Sequence, residues 1–311
     1  MVKSIKKHLI TGGAGFLGSH LIDRLMDKED IVICIDNFQT GSIRNISKWI
    51  NHNRFKLISH DITEPLNAEI DHIWHLACPA SPIHYQNNPI KTSKTNFVGT
   101  YNMLSLAKLK KAKFLFSSTS EIYGDPEVHP QPESYKGSVN HIGKRSCYVQ
   151  GKRFAETLCF DYLRMYSTDI KVARIFNTYG PRMIPNDGRV VSNFIIQALR
   201  GDSLTVYGDG NQTRSFCYVD DLINGLITLM ESKHNGPFNL GNDNEFTIIE
   251  LAEKIINKIN TNLRIEFKPL PEDDPLKRKP ILKKAFEDLK WAPKIDLDEG
   301  LDKTIRFFKE L

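Results

Sequence analysis

The chain has 311 residues, of which 40% are apolar and 25% charged, with a formal net charge of +5. That length predicts about two domains. The small, scattered charge argues against a dedicated nucleic-acid or polyanion surface, although a few clustered arginines can still serve an anionic ligand.

In chain order, the first half alternates short β-rich runs with amphipathic helical patterns. Strands are predicted at 8–11, 31–35, 55–59, 72–75, 114–117 and 171–174, and helices at 20–27, 91–108 and 148–166. This alternation predicts a parallel sheet covered on both faces, an α/β fold of the doubly wound (Rossmann) kind. The second half carries helical patterns at 191–199, 222–231 and 248–259 between Gly-, Pro- and Asp-rich loops. It reads as a smaller, mixed domain closing over the carboxyl ends of the sheet. The expected division is 1–178 for dinucleotide binding and 179–311 for substrate, with some segments interleaved. The stretch from Pro269 to Pro280 combines acidic and basic clusters with several prolines, so regular helix is excluded there. It is either an ordered lid or a solvated connection.

Five cysteines, Cys34, Cys78, Cys147, Cys159 and Cys217, form no C-x-x-C pair and are odd in number. No disulfide framework, zinc site or other metal site is expected, and a reducing, cytoplasmic compartment fits best. No apolar run reaches the length of a membrane span, and the apolar stretch after the basic start is too short for a signal peptide.

Gly12-Gly-Ala-Gly15-Phe-Leu-Gly18 follows the first strand and opens the first helix. Glycine is required where a chain turns tightly and where backbone approaches a pyrophosphate, and the helix N-terminus offers free N–H groups to the phosphates. Asp36 falls at the end of the second strand, where a carboxylate accepts hydrogen bonds from ribose hydroxyls and repels a 2′-phosphate. The expected cofactor is therefore NAD rather than NADP. Tyr148-Val-Gln-Gly-Lys152 lies at the start of a helix, and a spacing of four places both side chains on one face. A free tyrosine, with a pKa of about 10, is a poor base, and a neighbouring ammonium favours the phenolate. The pair can take a proton from a hydroxyl as hydride leaves for NAD. Just upstream, Ser117-Ser-Thr-Ser-Glu121 puts hydroxyls at a strand's carboxyl end, where Thr119 or Ser120 can bond the reacting hydroxyl.

Together these residues resemble the extended short-chain dehydrogenase/reductase family of NAD-dependent sugar epimerases and dehydratases. The likeness covers almost the whole chain and includes TGGAGFLG, STSEIYG, RIFNTYGPR and GDGNQTRSFCYVDD. Within that family it is most similar to the branch that decarboxylates UDP-glucuronate, through PASPIHYQNNPIKTSKTN, STSEIYGDPEVHPQ, RMIPNDGRVVSNFI and DDPLKRKP. Dehydratases of the family usually carry Thr-Asp-Glu, whereas this chain has Thr119-Ser120-Glu121 and lacks that acid. Epimerases usually lack the Glu.

The resemblance implies decarboxylation of UDP-glucuronate to UDP-xylose through a 4-keto intermediate, with bound NAD recycled. It implies Thr119, Glu121, Tyr148, Lys152 and Arg278 as catalytic residues. It places Phe16, Leu17, Asn37, Phe38, Thr40, Gly41, Asp61, Ile62, Leu76, Ala77 and Thr178 around the cofactor, with the glycines, Asp36, Tyr148 and Lys152. Lys94, Ser120, Glu121, Asn177, Arg189, Tyr207, Gln212, Arg214 and Arg278 would bind the sugar nucleotide. A homodimer built on helices including the Tyr148 helix is implied, with no nucleic-acid or membrane partner. Departures from the branch fall at Val149, Gln150, Lys144, Asn67 and Ser42. The repulsion between Glu121 and a substrate carboxylate is a tension the sequence leaves open. The alternatives are a sugar-nucleotide 4-epimerase or 4,6-dehydratase and, from another class, a non-catalytic NAD-binding regulatory module.

Overall fold

The computed structural model of the chain describes residues 5–185, 187–269 and 277–311. Strands β1 (Lys7–Thr11), β2 (Ile31–Asp36), β3 (Phe55–Ser59), β4 (His72–His75), β5 (Lys113–Thr119) and β6 (Ile170–Ile175) form close to their predicted places. Their Ile-, Val- and Phe-rich runs suit strands covered on both faces, which need no polar alternation. They pair in parallel in the order β6-β5-β4-β1-β2-β3. The order reverses between β1 and β4, and such a switch point opens a crevice at the carboxyl ends of the strands.

Helix α1 (Phe16–Asp27) returns from β1. The single helix expected over 91–108 is instead α2 (Pro82–Asn87), α3 (Pro89–Lys94), a π-helical turn (Thr95–Gly99) and α4 (Thr100–Lys110). Pro89 starts α3, and the Asn88 side chain caps it by accepting from the Lys91 N–H at 2.9 Å. The π turn widens the helix by one residue just where Thr95 meets the crevice. Helix α5 (Ser146–Tyr166) carries the Tyr148–Lys152 pair.

Beyond β7 (Thr178–Tyr179), α6 (Val190–Arg200), β8 (Leu204–Tyr207), β9 (Thr213–Ser215) and β10 (Cys217–Tyr218) come α7 (Val219–Glu231) and β11 (Phe238–Leu240). The boundary at 178/179 does not divide the sheet. β11 pairs in parallel with β6 as a seventh strand, and α7 packs on α1. The physical reason is that β6 would otherwise present an open edge. β12 (Glu245–Thr247), α8 (Ile248–Ile259), β13 (Ile265–Lys268), β14 (Lys277–Arg278), α9 (Lys283–Leu289) and α10 (Leu297–Lys309) complete the chain. One small sheet, β12-β9-β14, faces the crevice, and a second joins β8 to β13. A continuous apolar core runs from Ile10 and Leu21 to Leu222 and Leu301, across both halves of the sequence. Of the Pro269–Pro280 stretch, residues 270–276 lie outside the described residues, so the lid-or-connection question does too.

Candidate active site

A cleft of about 790 Å³ follows the carboxyl ends of the central strands. One end is built on the glycine turn. Gly12 has φ +70°, and a Cβ there would lie 2.9 Å from Ala77 Cα; a Cβ on Gly18 would lie 2.2 Å from the Gly12 carbonyl. Only glycine closes this turn under the 76–77 strand end. Gly15 caps α1 without a side-chain bond, so the helix presents free N–H groups beside Phe16 and Leu17.

Asp36 is buried at the end of β2. Its two oxygens accept from Ala14 N–H at 2.9 Å and Phe38 N–H at 2.8 Å. Burial raises its pKa, and these two bonds offset part of the rise. Gly41 lies against the carboxylate, where a Cβ would come within 2.8 Å of both oxygens. Asn37 and Thr40 line the cleft as expected, joined by Gln39. Phe38 does not: its side chain packs against the core, and only its backbone serves the site, by orienting Asp36.

Asp61 and Ile62 form the next stretch of wall. Asp61 pairs with Lys91 at 2.5 Å and accepts from the Thr63 hydroxyl at 2.8 Å. Lys94, expected at the sugar, is exposed at the end of α3 and outside the cleft walls; Thr95 lines the cleft instead. One residue along a helix rotates a side chain by about 100°, which separates Lys94 from Thr95. Leu76 and Ala77 are held by N–H bonds of 3.2 Å to the Thr11 hydroxyl. Thr11 is bonded in turn to His75 Nδ1 at 2.9 Å, and His75 Nε2 to Thr100 at 3.0 Å. Burial, with a smaller effect from the Lys152 charge, pushes the His75 pKa down to about 3, so the ring is a neutral strut. With Thr178 in the far wall, the glycine cradle, the open helix N-terminus and the carboxylate at the end of β2 fit NAD.

Tyr148 and Lys152 meet at the middle of the cleft, both buried. Lys152 Nζ donates to the Ser117 carbonyl at 2.7 Å and lies 6.0 Å from the Tyr148 ring centre. Burial pushes the lysine down and the tyrosine up; the neighbouring Cys78 and Glu121 push the tyrosine further, while a Thr119 hydrogen bond favours its ionised form. The phenol therefore stays above its ordinary pKa, because desolvation, Cys78 and Glu121 outweigh the Thr119 hydrogen bond. The Tyr148 ring stacks on Tyr85, with centroids 4.9 Å apart and planes 3° from parallel.

The sugar end is organised by charge. Glu121, in a 3₁₀ turn after β5, accepts from Arg145 at 2.5 Å and Arg278 at 3.2 Å on the same oxygen. Burial alone would raise the Glu121 pKa, but the Arg278 and Arg145 charges and hydrogen bonds outweigh it and hold the carboxyl below its usual range. Two cations around one anion leave a net positive cluster, which removes the expected repulsion of a substrate carboxylate. Among the described residues the buried Tyr85 hydroxyl has no hydrogen-bond partner, and the Glu121, Arg145 and Arg278 charges all act on it. Neither Tyr85 nor Arg145 was picked out from the sequence. Arg145 lies three residues before Tyr148, a spacing that faces it to the same side and was a usable signal.

Thr119, Ser120, Asn177, Arg189, Tyr207, Gln212, Arg214 and Arg278 all line this end. Arg189 is held by Asp187 at 3.1 Å, and Gln212 donates to the Tyr207 carbonyl at 2.6 Å. Of the departures, Val149 packs with Tyr85 and Tyr148, Gln150 bonds His141, and Ser42 caps the turn Ile43–Trp49.

The model of the family described as GDP-mannose 4,6 dehydratase matches residues 9–304. UDP-glucuronic acid decarboxylase 3 of Arabidopsis thaliana is 60% identical over 294 residues, 94% of this chain and 86% of that protein. UDP-glucuronic acid decarboxylase 1 of Danio rerio is 56% identical over 306 residues, 98% of this chain and 73% of that one. The chain belongs to the extended short-chain dehydrogenase/reductase family, among its UDP-glucuronic acid decarboxylases. Among solved structures, UDP-glucuronic acid 4-epimerase from Bacillus cereus, in complex with UDP-glucuronic acid and NAD, superposes with a TM-score of 0.88 at 28% identity, covering 98% of this chain and 99% of that one. UDP-glucose 4-epimerase from Thermotoga maritima gives 0.90 at 31% identity, with the same coverage.

Proposed function

We propose that this family member decarboxylates UDP-glucuronate to UDP-xylose. The observation that carries the reading is Glu121 clamped between Arg145 and Arg278 beside Tyr148. NAD would be held by the Gly12–Gly18 turn and Asp36 and would supply a reversible hydride acceptor for C4. Tyr148 takes the C4 hydroxyl proton, and Lys152 stabilises the phenolate through its charge. The oxidised sugar is a β-keto acid. Its C5–C6 bond breaks, CO2 leaves, and the bonding electrons form an enolate on O4, to which Tyr148 offers its proton. Arg278 and Arg145 hold the carboxylate until it leaves, and Glu121 keeps both guanidiniums aimed. A proton from solvent takes the place of CO2 at C5, and return of hydride to C4 with the Tyr148 proton to O4 then gives the pentose, with no net oxidation.

Incubation with UDP-glucuronate and NAD should yield CO2 and UDP-xylose; no product at saturating substrate sinks the reading. The 4-epimerase reading, suggested by the B. cereus neighbour, requires UDP-galacturonate and no CO2 from the same tube. A 4,6-dehydratase lacks support, because the acid it needs is replaced by Ser120.

The reading includes a homodimer. Its support is an apolar patch on the π turn, α4 and α5, where Phe97, Tyr101, Phe154 and Met165 are 46, 51, 49 and 74% exposed. Such a patch marks an association surface. Phe154→Glu should convert a dimer to a monomer in sedimentation; a wild-type monomer ends this part. A cytoplasmic compartment completes the reading, supported by five cysteines in the thiol form. Among the described residues no helix is long and apolar enough to cross a membrane, and no cluster of metal-binding side chains occurs.

A further inference from the structure

Arg278 is nearly fully buried, yet it stands on β14, a strand of only two residues. β14 is held on its upstream side by β9, through the pairs Lys277–Thr213 and Arg278–Arg214. What fixes it downstream is Gln131, from the GDPEVHPQ motif that the reaction itself does not use. The Gln131 side-chain oxygen accepts from the Lys279 N–H at 2.9 Å, directly after Arg278. Its backbone N–H donates to the Lys279 carbonyl at 2.8 Å, and its carbonyl accepts from Ile281 N–H at 2.9 Å. Gln131 is fully buried, so these bonds are not traded for water.

Behind Gln131 stands Asn239 on β11, also fully buried. Its side-chain nitrogen donates to the Gln131 carbonyl at 2.9 Å and the Ile281 carbonyl at 3.3 Å. Its oxygen accepts from the Tyr123 hydroxyl at 2.7 Å, which itself accepts from Arg174 at 3.0 Å. Arg174 pairs with Glu156 at 2.5 Å, and Glu156 accepts from the Ser118 hydroxyl at 2.7 Å. Ser118 adjoins Thr119, and Glu156 lies one helical turn after Lys152. A single run of buried and partly buried polar bonds thus joins the proton-transfer side of the cleft to the strand that carries Arg278. His129, two residues before Gln131, adds a bond to Glu245 of β12 at 3.2 Å, tying the motif to the same small sheet.

We propose that Gln131 and Asn239 are positioning residues for the decarboxylation step, setting where the Arg278 guanidinium stands relative to Glu121 and the sugar carboxylate. The inference rests on the decarboxylase reading. It predicts a defect confined to one step, because the groups that oxidise C4 are held by β5 and α5, not by β14.

The test is a single turnover of the NAD-loaded enzyme with saturating UDP-glucuronate, following reduced nicotinamide for C4 oxidation and trapped CO2 for decarboxylation. Gln131→Met keeps the bulk but loses the acceptor for Lys279. Since a misplacement of about 1 Å can cost on the order of 100-fold, CO2 release should slow by about tenfold or more, while C4 oxidation changes by less than about twofold. Reduced cofactor should then accumulate. Tyr123→Phe removes one hydroxyl further along the run and should give the same split at about threefold, a probe that survives if Gln131→Met does not fold. Parallel slowing of both steps would mark a purely structural role and overturn the inference, as would no slowing in either variant. A wild type that releases no CO2 sinks the decarboxylase reading and the inference together.

Discussion

The two ends of the cleft are built by different means. The cofactor end is mostly backbone: a glycine turn, a helix N-terminus, and a carboxylate set by two neighbouring N–H groups. Its parts lie close together in the chain. The sugar end is a convergence of side chains, with Tyr85, Glu121, Arg145 and Arg278 brought in from four separate segments and held by charge. The first design binds one cofactor whatever the sugar. The second is where a family with a common oxidation step can change its product, because few backbone constraints limit which side chains converge.

The largest effect is expected at the seam. Tyr148→Phe should lower turnover by about 10²–10⁴-fold, the range of a lost acid–base group. NAD affinity by calorimetry should change little, since the cofactor end is built without the phenol. A matching loss of NAD affinity would mean the two ends are one unit, and retained turnover would revive the non-catalytic module. Next comes Arg145→Met, which leaves the Glu121 carboxylate paired with Arg278 at 3.2 Å. Truncating one member of a buried, hydrogen-bonded charge pair costs about 2 kcal/mol or more, so kcat/KM for UDP-glucuronate should fall by roughly 30-fold or more. NAD affinity should again hold.

The same contrast explains what could be read from the sequence. Gly12, Gly18, Asp36 and the Tyr148–Lys152 spacing answer local demands of a turn, a strand end and a helix face, so pattern alone exposed them. The parallel sheet followed from strand–helix alternation. Tyr85 has no such signature; its importance lies in a stacked ring and an unpartnered hydroxyl that exist only once α2 is folded onto α5. Arg145 is legible only by its spacing, three residues before Tyr148, because it belongs to no motif with a local signature. Lys94 and Phe38 differ from these: each was carried over by residue type, and the one is exposed while the other packs against the core, neither lining the cleft. The seventh strand was out of reach because its pairing with β6 spans more than sixty residues of chain.

A smaller effect tests the backbone end directly. Gly18→Ala would set a methyl 2.2 Å from the Gly12 carbonyl, so the turn must open. Overpacking of this kind costs about 1–3 kcal/mol, and it should appear both as a lower Tm and as weaker NAD binding. The charged cluster at the sugar end should be unaffected, which UDP affinity in titration would report.

The smallest expected effect separates the two ends by pH. The Asp36 carboxyl is pushed above its ordinary 3.8 by burial, whereas Glu121 is held below its ordinary 4.5 because Arg278 and Arg145 outweigh burial. The signs are opposite. A raised carboxyl pKa means that the ligand-free fold takes up a proton at Asp36 more readily than the unfolded chain does. Its contribution to stability is therefore present below the unfolded value and is lost as pH rises through the folded one. Ribose recognition needs the charged form, so NAD affinity should weaken as pH falls toward that raised value. Glu121 contributes stability above 4.5 that is lost as pH falls through its lower folded pKa, so acid acts on the two carboxyls with opposite sign. Titrations downward from neutral pH should show NAD binding beginning to weaken at a higher pH than an ordinary aspartate would set, while UDP-glucuronate binding does not follow the same onset. Asp36→Asn should bind NAD more weakly at neutral pH and flatten the trend. If both ligands weaken together, the two ends share an electrostatic environment, and the division drawn between them is wrong.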